Sequence, residues 1–154
     1  MYSTGYEQLG KWLTYEALRN WLPYKKEIVN TINGDADGFF INNDYPIKVI
    51  AMLPEGLSLW FGSKEVIPNA TLLLGELPKT IESNEGVIFY SEQITTKSAT
   101  LETLIKLKGL GVDSNRILLI TAICSNKGLN EIAKLYPNQA VSYTHLTLPT
   151  ILLV

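Results

Sequence analysis

One cysteine and one histidine occur in 154 residues, alongside only two methionines. A lone Cys124 excludes an internal disulfide, and without cysteine or histidine pairs at ligand spacing the chain has no zinc-binding pattern. Long apolar runs are also missing: no segment approaches the roughly 18 residues of a membrane-spanning helix. The opening MYSTGYEQLGKW lacks a basic stretch followed by an apolar run, so no secretory leader is expected, and a reducing intracellular compartment is the default. The formal net charge of -2 gives no basic excess, so no nucleic-acid partner is expected. Lys25 and Lys26, the one adjacent basic pair, read as a solvated turn. What the chain does have is 46% hydrophobic and 18% charged residues, enough for the core of one domain.

Periodicity organises that apolar content. Leu9, Trp12, Leu13, Ala17 and Trp21 fall at helical spacing before Pro23, predicting a helix over 6–22. Alternation around Glu27–Ile32 and Gly38–Ile41, joined by Asn33-Gly34, predicts a hairpin. Apolar runs at 47–53, 70–77, 87–90 and 116–123 predict strands covered on both faces. Helices are expected over 56–67, from an N-cap at Ser98 with a buried stripe of Leu101, Leu104 and Ile105, and from a cap at Asn126 with Leu129, Ile132 and Ala133. Strands alternating with helices predict an α/β domain with a mainly parallel central sheet flanked by helices. Ligands of such sheets bind beyond the carboxyl ends of the strands. The stretch GVIFYSEQITTKSATLETLIKLKGLG, residues 86–111, reads as strand, polar turn and helix, and a helix start there favours a phosphate.

LTYEALRNWLP (13–23), GFFINNDYPIKVIAMLPEGLSL (38–59) and the segment 98–137 resemble uracil phosphoribosyltransferases, especially the cyanobacterial and plastid branch. The resemblance implies a type I phosphoribosyltransferase fold and the joining of uracil to phosphoribosyl pyrophosphate, giving UMP and pyrophosphate in pyrimidine salvage. It implies Mg2+ as cofactor if the protein is active, phosphoribosyl pyrophosphate or UMP as ligand, a homo- or hetero-oligomer, and a cytoplasmic or plastid-stromal location.

Several positions depart from the family pattern. Counted back from Gly111, Ser91 stands at the acid of the phosphoribosyl loop, with Glu92 one residue on as its candidate replacement. Thr96 keeps the threonine, while Lys97 and Ser98 replace two glycines and obstruct close backbone approach. Thr95, Thr96 and Ser98 are hydroxyl donors, and Lys97 a point charge, for a phosphate. On the pyrophosphate side the family's Leu–Arg–Ala–Gly–Leu reads Leu53-Pro54-Glu55-Gly56-Leu57, which leaves Gly56 and Leu57 as backbone candidates. Pro54 has no N–H, and Glu55 adds a negative charge beside a polyanion. Between Leu77 and Val87 stand only nine residues, PKTIESNEG, too short for the family's lid, so Lys79 and Glu82 read as turn residues. The departures predict a retained scaffold with catalysis impaired. The alternative is a non-catalytic nucleotide-sensing or partner-binding module on the same scaffold.

VSYTHLTLPT, residues 141–150, resembles the translated end of a transposon adapter used in preparing sequencing libraries. On that reading the phosphoribosyltransferase-like domain spans 1–140, residues 141–154 are a non-native tail, and the uracil-recognising segment lies in a missing C-terminal part. His145 then belongs to the tail. Trp12, Trp21 and Trp60 read as packing residues, Asp35, Asp37 and Asp44 as a polar turn without calcium-loop spacing, and Cys124 as a small core residue. No catalytic residue and no resident metal ligand is assigned.

Overall fold

The computed structural model describes residues 2–42, 44–74, 77–96, 99–143 and 147–149. Helix α1 (Tyr2–Trp21) leads into a hairpin of β1 (Tyr24–Thr31) and β2 (Gly34–Ile41). Then follow β3 (Ile47–Ala51), α2 (Glu55–Ser63), β4 (Thr71–Leu73), β5 (Gly86–Ile94), α3 (Ala99–Gly109), β6 (Ile117–Cys124), α4 (Asn126–Leu135), β7 (Ala140–Ser142) and β8 (Thr147–Pro149). The main sheet has the order β4-β3-β5-β6-β7-β8. Its first five strands are parallel, and β8 runs antiparallel to β7. The expected α/β layout, a mainly parallel sheet flanked by helices, is the one found.

Alternation along the central strands sends successive side chains to opposite layers. Ile88, Tyr90, Leu118 and Ile120 pack with Ala17, Leu18, Leu59 and Trp60 of α1 and α2. Val87, Phe89, Ile117 and Leu119 pack with Leu104, Leu107, Leu129 and Ile132 of α3 and α4. Helices α1 and α2 touch through their backbones: a Cβ on Gly10 would lie 2.0 Å from the Leu59 carbonyl oxygen, and one on Gly62 would lie 1.6 Å from that of Glu7. The polar groups sealed there are paired. Ser63 Oγ donates its one proton among the Gly10 carbonyl (3.0 Å), the Leu59 carbonyl (2.9 Å) and the Thr14 hydroxyl, and Thr14 Oγ1 lies 2.8 Å from both Ser63 Oγ and the Tyr90 hydroxyl.

Several elements differ from their sequence expectation. Helix α2 stops at Ser63, whose carbonyl accepts from Val66 and Ile67 as the chain turns away. β4 is three residues long because it pairs only along Lys48–Ile50 at the sheet edge. β5 runs four residues past Tyr90, since β6 continues beside it with Ser91 opposite Thr121 and Ile94 opposite Cys124. Ser91, Glu92 and Gln93 are therefore strand residues. The cap of α4 is Ser125, not Asn126: its Oγ accepts from the Gly128 N–H at 3.0 Å. Ile105 is exposed, and Leu107 takes its place on the buried stripe of α3. Ser98, expected to cap α3, lies outside the described residues.

The hairpin stands apart from both cores: among the described residues, none of its side chains joins either hydrophobic cluster. Gly34 supplies the left-handed conformation (φ 113°) that the turn requires. Phe40 lies across Gly38, where a Cβ would be 2.7 Å from the ring. On the other face Tyr24, Ile28 and Phe39 are open to solvent, Ile28 at 74% and Phe39 at 69% exposure. Lys26 pairs there with Asp37 at 2.9 Å, and on the Phe40 face Lys25 pairs with Glu27 at 2.7 Å, so the basic pair sits on a strand rather than a turn. Residues 140–142 form β7 with Val141 buried, and 147–149 form β8, while His145 lies outside the described residues. No helix among the described residues is long and apolar enough to cross a membrane.

Candidate functional site

The pairing of β3 with β5 ends at Ala51 opposite Tyr90, four residues before the end of β5, and the Met52 N–H donates to the Tyr90 carbonyl at 2.9 Å. From these ends α2 and α3 start away, one into each layer. Between the two helix starts lies a cleft of about 150 Å3, lined by Met52, Leu53, Glu55, Ser91, Glu92, Gln93, Ala99 and Thr100. It sits beyond the carboxyl ends of the strands, where ligands of open α/β sheets bind. Two carboxylates line it, and no lysine or arginine does so among the described residues.

Adjacent residues of β5 reach this cleft from opposite faces. Ser91 is buried; its Oγ donates to the Gln93 carbonyl at 3.1 Å and accepts from Thr100 Oγ1 at 3.0 Å, which ties the strand end to the first turn of α3. Glu92, on the α1 side, accepts a hydrogen bond from the Tyr6 hydroxyl at 2.8 Å. That bond, with burial and the charges of Glu92 and Glu55, raises the Tyr6 phenol above its ordinary pKa. Tyr6 and Thr100 carry no role that the sequence alone suggests. Tyr6 lies 86 residues from its partner, and no local pattern signals such a contact.

On the α2 side the Leu53–Pro54 peptide is cis and Pro54 precedes the helix without a side-chain cap. Glu55 is the first helical residue, half-buried, a position where the helix dipole favours a carboxylate. Gly56 is buried against β5: a Cβ there would be 2.5 Å from the Tyr90 carbonyl oxygen. The Leu57 N–H donates to the Pro54 carbonyl at 3.2 Å. Thr95 and Thr96 are exposed after β5, and Thr96 lines a wider hollow of about 600 Å3 between α3 and α4, away from the cleft. Lys97 and Ser98 lie outside the described residues. Thus Gly56, Leu57 and Glu92 gather around the strand ends, and Thr96 faces another opening.

The remaining candidates divide plainly. Trp60 is core and Trp21 packs edge-on against Tyr45, but Trp12 is 63% exposed beside Tyr15. Burial pushes the Cys124 thiol up to about 12, well away from a reactive thiolate. No group of three or more His, Cys, Asp and Glu side chains that could hold a metal occurs among the described residues.

A protein-family model described as uracil phosphoribosyltransferase matches residues 2–147. The chain belongs to the uracil phosphoribosyltransferase family. Among curated relatives, the uracil phosphoribosyltransferase of Synechococcus elongatus is 26% identical over 153 residues, covering 89% of this chain and 70% of the relative. A uracil phosphoribosyltransferase homolog of Porphyra purpurea is 28% identical over 142 residues, covering 85% and 68%. The chloroplastic uracil phosphoribosyltransferase of Arabidopsis thaliana is also 28% identical, over 84% of this chain and 49% of its own length. In fold the chain is similar to the AQ2163 protein from Aquifex aeolicus, with a TM-score of 0.69 at 22% identity over 92% of this chain and 73% of that one. The family scaffold therefore persists at about a quarter identity.

Proposed function

We propose that this protein is a divergent uracil phosphoribosyltransferase homologue whose cleft receives a phosphoribosyl ligand and whose turnover is impaired. The observation that supports the reading is the cleft itself: it occupies the strand-end position of the family fold, yet its charged lining is Glu55 and Glu92. Stabilising a departing pyrophosphate calls for cations and backbone donors. Pro54 offers no N–H, and the Leu57 N–H is engaged by Pro54. The donor set suits Mg2+ only in part: two carboxylates are hard oxygen ligands, but Glu92 is already held by Tyr6. Magnesium binding would rest on Glu55 together with the oxygens of a phosphorylated ligand, whose charge it would neutralise. The proposed setting is cytoplasmic or plastid-stromal.

The test is labelled UMP formation from uracil, phosphoribosyl pyrophosphate and Mg2+. Losing one preorganised donor commonly lowers rate about 10²–10³-fold, and several family donors are altered here, so at least that loss is expected relative to the Synechococcus relative. A rate matching that relative overturns the reading.

The partner-binding alternative has support of its own in the hairpin. An isolated two-stranded ribbon is marginally stable in water, and this one leaves Tyr24, Ile28 and Phe39 uncovered. The exposed Trp12–Tyr15 pair on α1 gives the same molecule a second apolar patch, which makes another copy of this chain the occupant of choice.

A further inference from the structure

The crossovers leave part of the sheet without a helix of its own. From β3 to β4 the chain steps one way along the sheet, and from β5 to β7 it steps the other. Right-handed connections therefore put α2 on one face and α3 and α4 on the opposite one. Among the described residues the return from β4 to β5 carries no helix. Ile50 and Leu73, which belong to the α3–α4 face, thus line a trough of about 630 Å3 beside α3. Met52, Leu53 and Leu77 add to its apolar lining, and Thr103 and Lys106 of α3 supply the polar part. The volume falls within the roughly 300–1,000 Å3 of small-molecule sites.

The polar capacity of this lining comes down to one group. β3 is paired on both edges, and the Met52 N–H is engaged by the Tyr90 carbonyl at 2.9 Å. Thr103 Oγ1 gives its proton to the Ala99 carbonyl, also at 2.9 Å. Lys106 is exposed, and it enters none of the ion pairs among the described residues. A nucleobase would leave its N–H and carbonyl groups unpaired against such walls. An aliphatic chain with one acidic head matches them, its methylenes against Ile50, Leu73 and Leu77 and its charge at Lys106.

We propose that this trough is a binding site for an amphipathic monoanion, an alkyl carboxylate, held by its chain in the apolar lining and by its head group at Lys106. The strand-end cleft shares only Met52 and Leu53 with it. The site stands whether or not that cleft takes a phosphoribosyl ligand.

The experiment titrates the full chain with decanoate, octanoate and decanol below their aggregation limits, by calorimetry and by NMR of methyl-labelled methionine. Only two methionines, Met1 and Met52, contribute signals, and decanoate should move that of Met52. Octanoate, two methylenes shorter, should bind about tenfold more weakly than decanoate. Lys106→Gln, a change at an exposed helical position checked by circular dichroism, should weaken decanoate at least about threefold. The same variant should leave decanol unchanged. No decanoate binding, or binding without movement of the Met52 signal, overturns the site. Equal affinities for octanoate and decanoate overturn the role of the chain, and the proposal with it. A Lys106→Gln variant that weakens neither ligand, or both alike, overturns the head-group assignment. Displacement of decanoate by phosphoribosyl pyrophosphate also overturns the proposal, because the probe would then be lying in the cleft.

Discussion

Tyr90 sits at the centre of the α1–α2 layer with its hydroxyl sealed against Thr14, and burial raises its phenol above the ordinary pKa. Such a group has no solvent to fall back on, so the two ways of breaking the pair are unequal. Thr14→Val removes a partner of both the Tyr90 and the Ser63 hydroxyls, leaving Tyr90 only Ser63, and should cost about 1–3 kcal/mol in urea unfolding. Tyr90→Phe leaves Thr14 bonded to Ser63 and should cost nearer about 1 kcal/mol. Equal losses would show that the hydroxyl chain is not organised as described. The two residues are 76 apart in sequence, and neither stands out there. Composition and periodicity locate Tyr90 in a buried strand. They cannot show which polar neighbour satisfies it. The same holds at the cleft: Glu92 is legible as the nearest acid to the expected position, whereas Tyr6, which engages it, is not. Glu55 is different, because its change of charge is written in the local motif.

At the level of elements, the α1–α2 contact depends on missing side chains. Gly62→Ala would drive a methyl group into the Glu7 carbonyl, and rigid helices must separate to admit it. A loss of about 1–3 kcal/mol is expected, with a lower melting temperature. Gly5, where an added Cβ would meet nothing within 4 Å, is the control: Gly5→Ala should be neutral or mildly stabilising. An equal loss at both positions would remove close packing as the cause. The order of elements was legible because a run such as Val87–Tyr90 has few readings other than a buried strand. Their ends were not. β5 extends to Ile94 because β6 is there to pair with it, and α2 stops early because Ser63 turns the chain. The first depends on a neighbour distant in sequence, the second on a local turn that periodicity does not mark.

For the whole molecule, the consequential division is between the layered body and the ribbon of β1 and β2. If a second copy covers the ribbon, replacing Ile28 and Phe39 together by aspartate should shift sedimentation from dimer to monomer. Because neither residue packs on the body, the change in unfolding free energy at a fixed monomeric concentration should stay within about 0.5 kcal/mol. A wild-type protein that sediments as a monomer at high concentration counts against that occupant. Lys26 and Asp37, paired on the same face, keep the ribbon from being uniformly apolar. Recognition and foldability are consequently carried on separate stretches of chain. Substitutions can accumulate on the ribbon without cost to the body, so a lineage could change its associations while inheriting its architecture intact.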